Sequence, residues 1–302
     1  MFFKTRSESD ELLALGSLNN RMRLSKRDKH HYLNLEKGYE GEVQFDGMAE
    51  KRLEDKFVLN DLLLEVHHSY SQIDTLSISN GVIHLLNIKN YEGDYYFDGD
   101  KLLKVSHEKE YKNPLLQLQR SATIMRQILQ DLQEDYTVKP FVVFVNPQFT
   151  LYQAPLNQPI IYPTQLNRFL TTLDNTPSSL SDKNRNLANK LVAMHKTKNP
   201  FTQLPGYEYA KLRKGIYCKS CRSYSLSTMN NKFICGKCRE EEKFEKAILR
   251  TTKEFRLLFP GKKITAKIIQ EWCNVDLSRR TFSRVLKRNF TTLGSTKDVF
   301  YE

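Results

Sequence analysis

The stretch QIDTLSISNGVIHLLNIKN, residues 72 to 90, constrains the fold more than any other part of the chain. Two runs rich in Ile, Leu and Val are joined by Asn80-Gly81, the dipeptide that most strongly favours a two-residue type I′ hairpin loop. With that loop, Asp74 falls opposite Asn87 and Gln72 opposite Lys89. Side chains alternate along a strand, so Gln72, Asp74, Leu76 and Ile78 share one face with Ile83, Leu85, Asn87 and Lys89. Opposed Cβ atoms lie roughly 4.5–5.5 Å apart, so this face is apolar near the turn and gathers four polar groups at its open end. An Asp–Lys pair on a solvated sheet face is the bland alternative. It loses ground because these groups continue a row that should face the core, where unpurposed charge is expensive.

The surrounding elements alternate in a way that builds a core around this hairpin. GYEGEVQFDGMAEKRLEDK reads as a helix with Phe45, Ala49 and Leu53 on one face, followed by the apolar run FVLNDLLLEV. NPLLQLQRSATIMRQILQDL reads as a second helix, with Asn113 as N-cap and Pro114 at its first position. Its Leu115, Leu118, Ala122, Met125, Leu129 and Leu132 form a buried stripe. FVVFV at 141–145 has the continuous apolar character of a central strand. PIIYP and a helix over TQLNRFLTTL, with Thr164 as a possible cap, extend the unit; DNTPSSLSDKNRN reads as a loop and NLANKLVAMHK as a further helix. The order helix, strand, strand, strand, helix, strand defines a compact α/β unit.

This order of elements, with GYEGE, QID, IKNYEG and NPLLQ in sequence, resembles the nuclease-related domain, NERD, a branch of the PD-(D/E)XK nuclease superfamily. The matching positions are Gly38, Gly41, Glu42, Asp74, Lys89, Asn113, Pro114 and Gln117. The resemblance implies a restriction-endonuclease-like α-β-β-β-α-β core and a Mg²⁺-dependent (or Mn²⁺-dependent) phosphodiesterase. It implies Asp74 and Glu42 as metal ligands, with Asn87 offering at most a carbonyl oxygen, and Lys89 beside the attacking water. Gln117 would hold a phosphate at a helix start, where backbone N–H groups are free. The family pattern has Glu where this chain has Asn87. Either activity is weak, or Glu42 or another carboxylate such as Glu65 supplies the missing charge, or the domain binds DNA without cutting it.

The last third of the chain is different in kind. Cys218, Cys221, Cys235 and Cys238 form a C-x2-C-x13-C-x2-C pattern, which suits a structural Zn²⁺ in a ribbon with a short hairpin between the pairs. Coincidental thiols or a redox pair are the lesser reading, and Cys273 is expected to be a core thiol. Next, ITAKIIQEWCNVDLSRRTFSRVLKRNF reads as two helices around NVDLS. Ile264, Ile268, Ile269 and Trp272 face inward from the first, and Phe282, Val285 and Leu286 from the second, with Ser278 as its N-cap. The other face of the second helix carries Arg279, Arg280, Ser283, Arg284, Lys287 and Arg288. This resembles a helix-turn-helix, with TTLGSTKDVFY as a wing, and would place arginines on phosphates and base edges. A solvated basic helix in a small bundle is the alternative.

Charge sharpens the division. Residues 1–210 hold 25 Lys and Arg against 26 Asp and Glu, whereas 211–302 hold 22 against 9. The basic excess therefore points to a polyanion, with DNA the expected partner and RNA also open. The expected organisation is a lead-in over 1–36 with no assigned function, a nuclease-like domain over 37–150, an extension and linker over 151–210, a zinc ribbon over 211–242 and a helix-turn-helix-like segment over 243–302. No signal peptide or membrane span is read, and the expected location is cytoplasmic.

Overall fold

The computed structural model describes residues 2–106, 109–295 and 298–302. In chain order the elements begin with β1 (Phe2–Lys4), α1 (Asp10–Arg21), α2 (Lys26–Ala49), β2 (Phe57–Val66), β3 (Ser69–Ser79) and β4 (Val82–Lys89). They continue with β5 (Gly93–Asp98), β6 (Lys101–Lys104), β7 (Lys109–Tyr111), α3 (Pro114–Asp131), β8 (Thr137–Phe144), β9 (Phe149–Tyr152), β10 (Ile160–Ile161), α4 (Leu166–Asp174) and α5 (Asp182–Ala193). The last third holds β11 (Leu226–Met229), β12 (Lys232–Cys235), β13 (Glu241–Lys243), α6 (Phe244–Leu258), α7 (Ala266–Cys273), α8 (Arg279–Asn289), β14 (Thr292–Leu293) and β15 (Phe300–Tyr301). The chain forms two compact units, one of residues 1–8 and 34–202 and the other of 9–33 and 203–302.

The first unit is a mixed α/β sandwich around a six-stranded sheet in the order β1-β2-β3-β4-β8-β10. β2, β3 and β4 form an antiparallel meander, and β8 joins β4 in parallel. One face of the sheet presents Leu59, Leu76, Ile78, Ile83, Leu85 and Val142 to a core that includes α3 and α5. The other presents Val58, Leu86, Ile88 and Val143 to a core that includes Phe45 and Ala49 of α2 and Leu170 of α4. Full burial of such side chains is worth about 1.5–3 kcal/mol each, and burial on both faces makes β4 and β8 interior strands. A second sheet, β7-β6-β5-β9, follows β4 and has no counterpart in the sequence reading, because its short aromatic runs lack a clear period.

The predicted hairpin forms with its two-residue loop, since Ser79 pairs with Val82 and Thr75 with Leu86. The loop is not type I′, however. Gly81 alone has positive φ, at 69°, because Asn80 is held from outside the turn. Its N–H donates to Pro177 O at 3.3 Å and its Oδ1 accepts from Asn184 Nδ2 at 3.0 Å.

Three helix starts test the expectations further, and two of them differ. α2 begins at Lys26 instead of near Gly38, with only Gly41, Phe45 and Ala49 buried; its first turns carry no apolar stripe that periodicity could detect. A short 3-10 turn over Pro163–Gln165 precedes α4, so Thr164 does not cap that helix. Asn113 does cap α3, its Oδ1 accepting from Leu115 N–H at 2.9 Å.

The second unit is built on α1, α6, α7 and α8, with β11-β12-β13 and the β14–β15 pair as small sheets. Its core gathers Leu18, Phe255, Ile269, Trp272, Phe282, Val285 and Leu286. Cys273 is buried there, and burial pushes its thiol well up from the ordinary range. Arg21 is buried with Glu254, at 2.6 and 2.9 Å, which satisfies both charges. Ser278 stands at the N-cap of α8 but makes no capping bond; its Oγ meets Thr281 Oγ1 instead. The expected wing includes Thr296 and Lys297, which lie outside the described residues; the flanking β14 and β15 pair antiparallel.

Candidate functional site

The polar end of the hairpin is a place where three strands change partners. The β3–β4 ladder stops at Thr75–Leu86, while β4 stays paired with β8 as far as Lys89–Phe144 and β3 with β2 as far as Ser69–Val66. The expected rungs Asp74–Asn87 and Gln72–Lys89 are therefore not made. The Asp74 carboxylate fills the gap instead, its Oδ2 accepting from Ile88 N–H at 2.8 Å. The β2–β3 ladder also omits one rung, the one at which Asp61 stands opposite Asp74, and Asp61 has φ 55°. An irregularity on each side thus frees Asp74 from ordinary pairing.

Glu42 reaches this end of the sheet from α2. Gly41 makes the approach possible, since a Cβ there would lie 2.4 Å from Asn90 Cβ. Asn90, next to Lys89, ties the two elements by donating to Lys37 O at 2.8 Å. Asp61, Asp74 and Lys89 are close enough to act on the charge of Glu42, and Asp61 and Lys89 on that of Asp74. Burial pushes the Asp74 carboxyl above its usual range, against the pull of Lys89 and the Ile88 N–H. Burial and Asp74 together push Glu42 up to about 8, outweighing its ion pair with Arg6. These are groups whose charge has been made costly, as at many working sites.

Asn87 is buried, and neither its Oδ1 nor its Nδ2 has a hydrogen-bond partner among the described residues. Gln117 lies exposed in the first turn of α3, and no described side-chain hydrogen bond joins it to the other four candidates. Glu65 sits four residues beyond Asp61 on β2 and pairs with Lys196 at 3.2 Å, so it is committed elsewhere. Asp61 does stand opposite Asp74, signalled in the sequence only by Asn60-Asp61 interrupting an apolar run.

Arg6 is the other residue the sequence reading passed over. Its guanidinium donates to Glu42 Oε2 at 2.6 Å, to both oxygens of Asp46 at 2.9 and 3.1 Å, and to Asp74 O and Thr75 Oγ1 at 2.9 Å each. Its side chain is 3% exposed. Nothing in FFKTR marks that arginine as interior, because the contacts come from distant parts of the chain.

A divalent ion fits the donor set at this site: a buried carboxylate in Asp74, the orphaned Asn87 amide, and Glu42 within electrostatic reach. Yet among the described residues no three of the carboxylates place one oxygen each within 4.8 Å of one another. Glu42 is turned to Arg6.

The cysteines present the opposite case. All four Sγ atoms lie within 4.8 Å of one another, and the pairs Cys218–Cys238 and Cys221–Cys235 are each 3.5 Å apart. Zn–S bonds of about 2.3 Å place sulfurs of a tetrahedron about 3.8 Å apart, so four thiolates here could hold zinc. The two C-x-x-C turns repeat one backbone pattern. Arg222 N–H donates to Cys218 O and Arg239 N–H to Cys235 O, with φ 61° and 62° at the two arginines. The N–H groups of Cys238 and Lys237 aim at Cys235 Sγ and bring its thiol down to about 6. β11 and β12 make the expected intervening hairpin, turning at Asn230 and Asn231 with φ 49° and 61°.

On α8, Phe282, Val285 and Leu286 are buried while Arg279, Arg280, Arg284, Lys287 and Arg288 line one open surface depression together with Ser283.

Residues 37–145 match the model of the nuclease-related domain, a span that includes Glu42, Asp74, Asn87, Lys89 and Gln117. No curated protein matches the chain. Among solved structures, protein VC1899 from Vibrio cholerae is similar at 10% identity and a TM-score of 0.24, over 50% of this chain and 36% of that one. This chain thus spans little more than a third of that protein's length. Among the described residues, no helix is long and apolar enough to cross a membrane.

Proposed function

We propose that the nuclease-related domain hydrolyses phosphodiester bonds of DNA with a divalent cation, Mg²⁺ or Mn²⁺, and that the basic C-terminal third supplies affinity for the substrate. The observation that carries this reading is Asp74: a buried carboxylate released from strand pairing on both sides, with Lys89 acting on its charge and Asp74 in turn acting on that of Glu42. Asp74, Glu42 and the Asn87 carbonyl would hold the cation, which when bound supplies Lewis-acid polarisation of a phosphoryl oxygen. Lys89 would neutralise charge on the phosphate and orient the attacking water. Gln117 and the first turn of α3 would bind a neighbouring phosphate. In the second unit, a ribbon held by structural Zn²⁺ and the cations of α8, read as a helix-turn-helix-like element, would contact the DNA backbone and groove.

A second reading has specific support. Asn87 is neutral where the family pattern has Glu, and Arg6 already engages Glu42. A site poorer in charge for a metal fits a protein that binds DNA with little or no cleavage.

Cleavage assays with Mg²⁺ or Mn²⁺ on single-stranded, double-stranded and branched DNA, and on RNA, separate the two. Asp74→Ala and Lys89→Ala should each lower cleavage by about 10²–10⁴-fold, and Asn87→Glu should raise it. Activity unchanged in both alanine variants would sink the site assignment. No cleavage by wild type or Asn87→Glu would leave the binding-only reading. DNA affinity should fall steeply with salt, and replacing Arg284 and Lys287 together should flatten that slope.

A further inference from the structure

The arm that carries Arg6 lies outside residues 37–145, the span that matches the family. It is nonetheless built into the same unit. β1 adds a parallel edge strand to β2, pairing Phe2 with Val58 and Lys4 with Leu59. Lys4 Nζ then donates to the carbonyls of Asn60 and Asp61 at 2.7 and 2.8 Å, at the point where Asp61 stands opposite Asp74. Two residues on, Arg6 enters between α2 and β3. The arm therefore delivers two cations to the irregular stretch that defines the site.

A buried guanidinium is stable only if it is fully paired, and Arg6 is paired on every side. Asp46 takes the fork of Nε and Nη2, the bidentate geometry that fixes an arginine most firmly. With that anchor set, Nη1 holds Glu42 Oε2 at 2.6 Å and Nη2 holds the Asp74 carbonyl. A guanidinium neutralises a carboxylate but stays protonated and has no acceptor, so it can do none of a metal's chemistry. A divalent ion drawing on Glu42 Oε2 must displace Arg6 from it.

We propose that Arg6 is a positioning residue of this site: a built-in counter-cation, supplied by the N-terminal arm, that occupies Glu42 Oε2 and so weakens divalent-cation binding at the Asp74–Asn87 end of the hairpin. The proposal rests on reading Glu42 and Asp74 as ligands. Metal affinity is reduced by the fraction of molecules in which Glu42 is free to bind. Arg6 makes that fraction small. An arginine that merely stabilised the fold would do the reverse, since its loss would disorder the ligands and weaken the site.

The test is Mn²⁺ titration of the full-length, zinc-loaded chain, following the free Mn²⁺ signal by electron paramagnetic resonance, with melting temperature and zinc content as controls of fold. Arg6→Gln should bind Mn²⁺ about tenfold more tightly than wild type, as expected when a competing state is removed. Arg6→Lys keeps the charge but loses the fork; it should fall between the two, and it decides the matter if Arg6→Gln does not fold. Adding Asp74→Asn should remove the tightening in either background. Equal or weaker Mn²⁺ binding in the folded Arg6 variants, or none in any variant, overturns the proposal. Cleavage run in parallel keeps the two claims apart: tighter Mn²⁺ binding without cleavage supports the role of Arg6 and ends the nuclease reading, whereas cleavage with unchanged Mn²⁺ affinity does the opposite.

Discussion

The two candidate metal centres are assembled by opposite routes. The four cysteines fall within residues 218–238 and come together through two copies of one short turn, closed by Arg222 and Arg239 in the left-handed region. The carboxylate site draws Arg6, Glu42, Asp61, Asp74 and Asn87 from an edge-strand arm, a helix and three strands. In the first, local backbone geometry alone brings the ligands within 4.8 Å. In the second, sheet register, two ladder irregularities and a close helix approach must all agree, and among the described residues no three carboxylates come within 4.8 Å of one another. A locally built centre is set by its ligand and can be lost with it. A centre built at long range is set by the fold and can be tuned by residues that never touch the ligand.

The largest effect that could break this comparison is zinc removal. Structural zinc in small domains contributes about 10–16 kcal/mol of apparent binding energy. Chelation, or Cys235→Ser, should therefore abolish amide-exchange protection over residues 218–243, and elemental analysis of the native chain should give about one zinc. A ribbon that keeps its protection without metal would show that β11, β12 and β13 stand on their own packing.

The sheet that carries the carboxylate site has a cost of its own, and His84 measures it. His84 is buried opposite Ser77 of β3, its Nδ1 has no hydrogen-bond partner among the described residues, and burial, with Lys139 and Lys56 adding to it, brings its pKa down to about 4. The unfolded chain takes up this proton near pH 6.5 and the folded one only near 4, so stability is lost as pH falls through that window. The loss should reach about 3 kcal/mol. Glu42 titrates with the opposite sign over part of the same range, so the check is a difference: urea unfolding of wild type and His84→Gln at pH 7 and pH 4.5. The variant should lose less stability on acidification, and parallel curves would place His84 in water.

Gly41→Ala comes next in size. The new methyl would meet Asn90 Cβ at 2.4 Å, where α2 crosses the end of β4. Relief needs a shift of backbone, and overpacking of this kind costs about 1–3 kcal/mol. The same shift would carry Glu42 from the hairpin, so any divalent-cation affinity should drop with stability. Gly38→Ala is the control, because among the described residues nothing lies within 4 Å of a Cβ at that position.

These contrasts explain what was legible in the sequence. The four-cysteine pattern, the α3 cap, the hairpin register near its turn and the buried stripe of α8 each depend on residues close together in the chain, and each could be read. The loop type at Asn80-Gly81 could not, because Pro177 and Asn184 decide it. Nor could Arg6 or Asp61, because their positions follow from β1 docking on β2 and from a missing rung opposite Asp74. Residue types at the site were visible; the partner each one answers to was not.

The smallest expected effect sharpens the same point at the start of α3. Asn113 Oδ1 caps the helix through Leu115 N–H, while its Nδ2 donates to Asp100 O at 2.8 Å. Asn113→Ala should cost about 1 kcal/mol, as the loss of an N-cap usually does, read as a shift in urea midpoint with unchanged slope. Asn113→Asp keeps the cap, gains a favourable charge at the helix N-terminus and loses only the bond to Asp100 O. If local chemistry governs this position, Asp should be nearly neutral. If the tether to the β5–β6 turn governs it, Asp should cost as much as Ala, and the start of α3 would belong with the long-range site rather than with the locally built one.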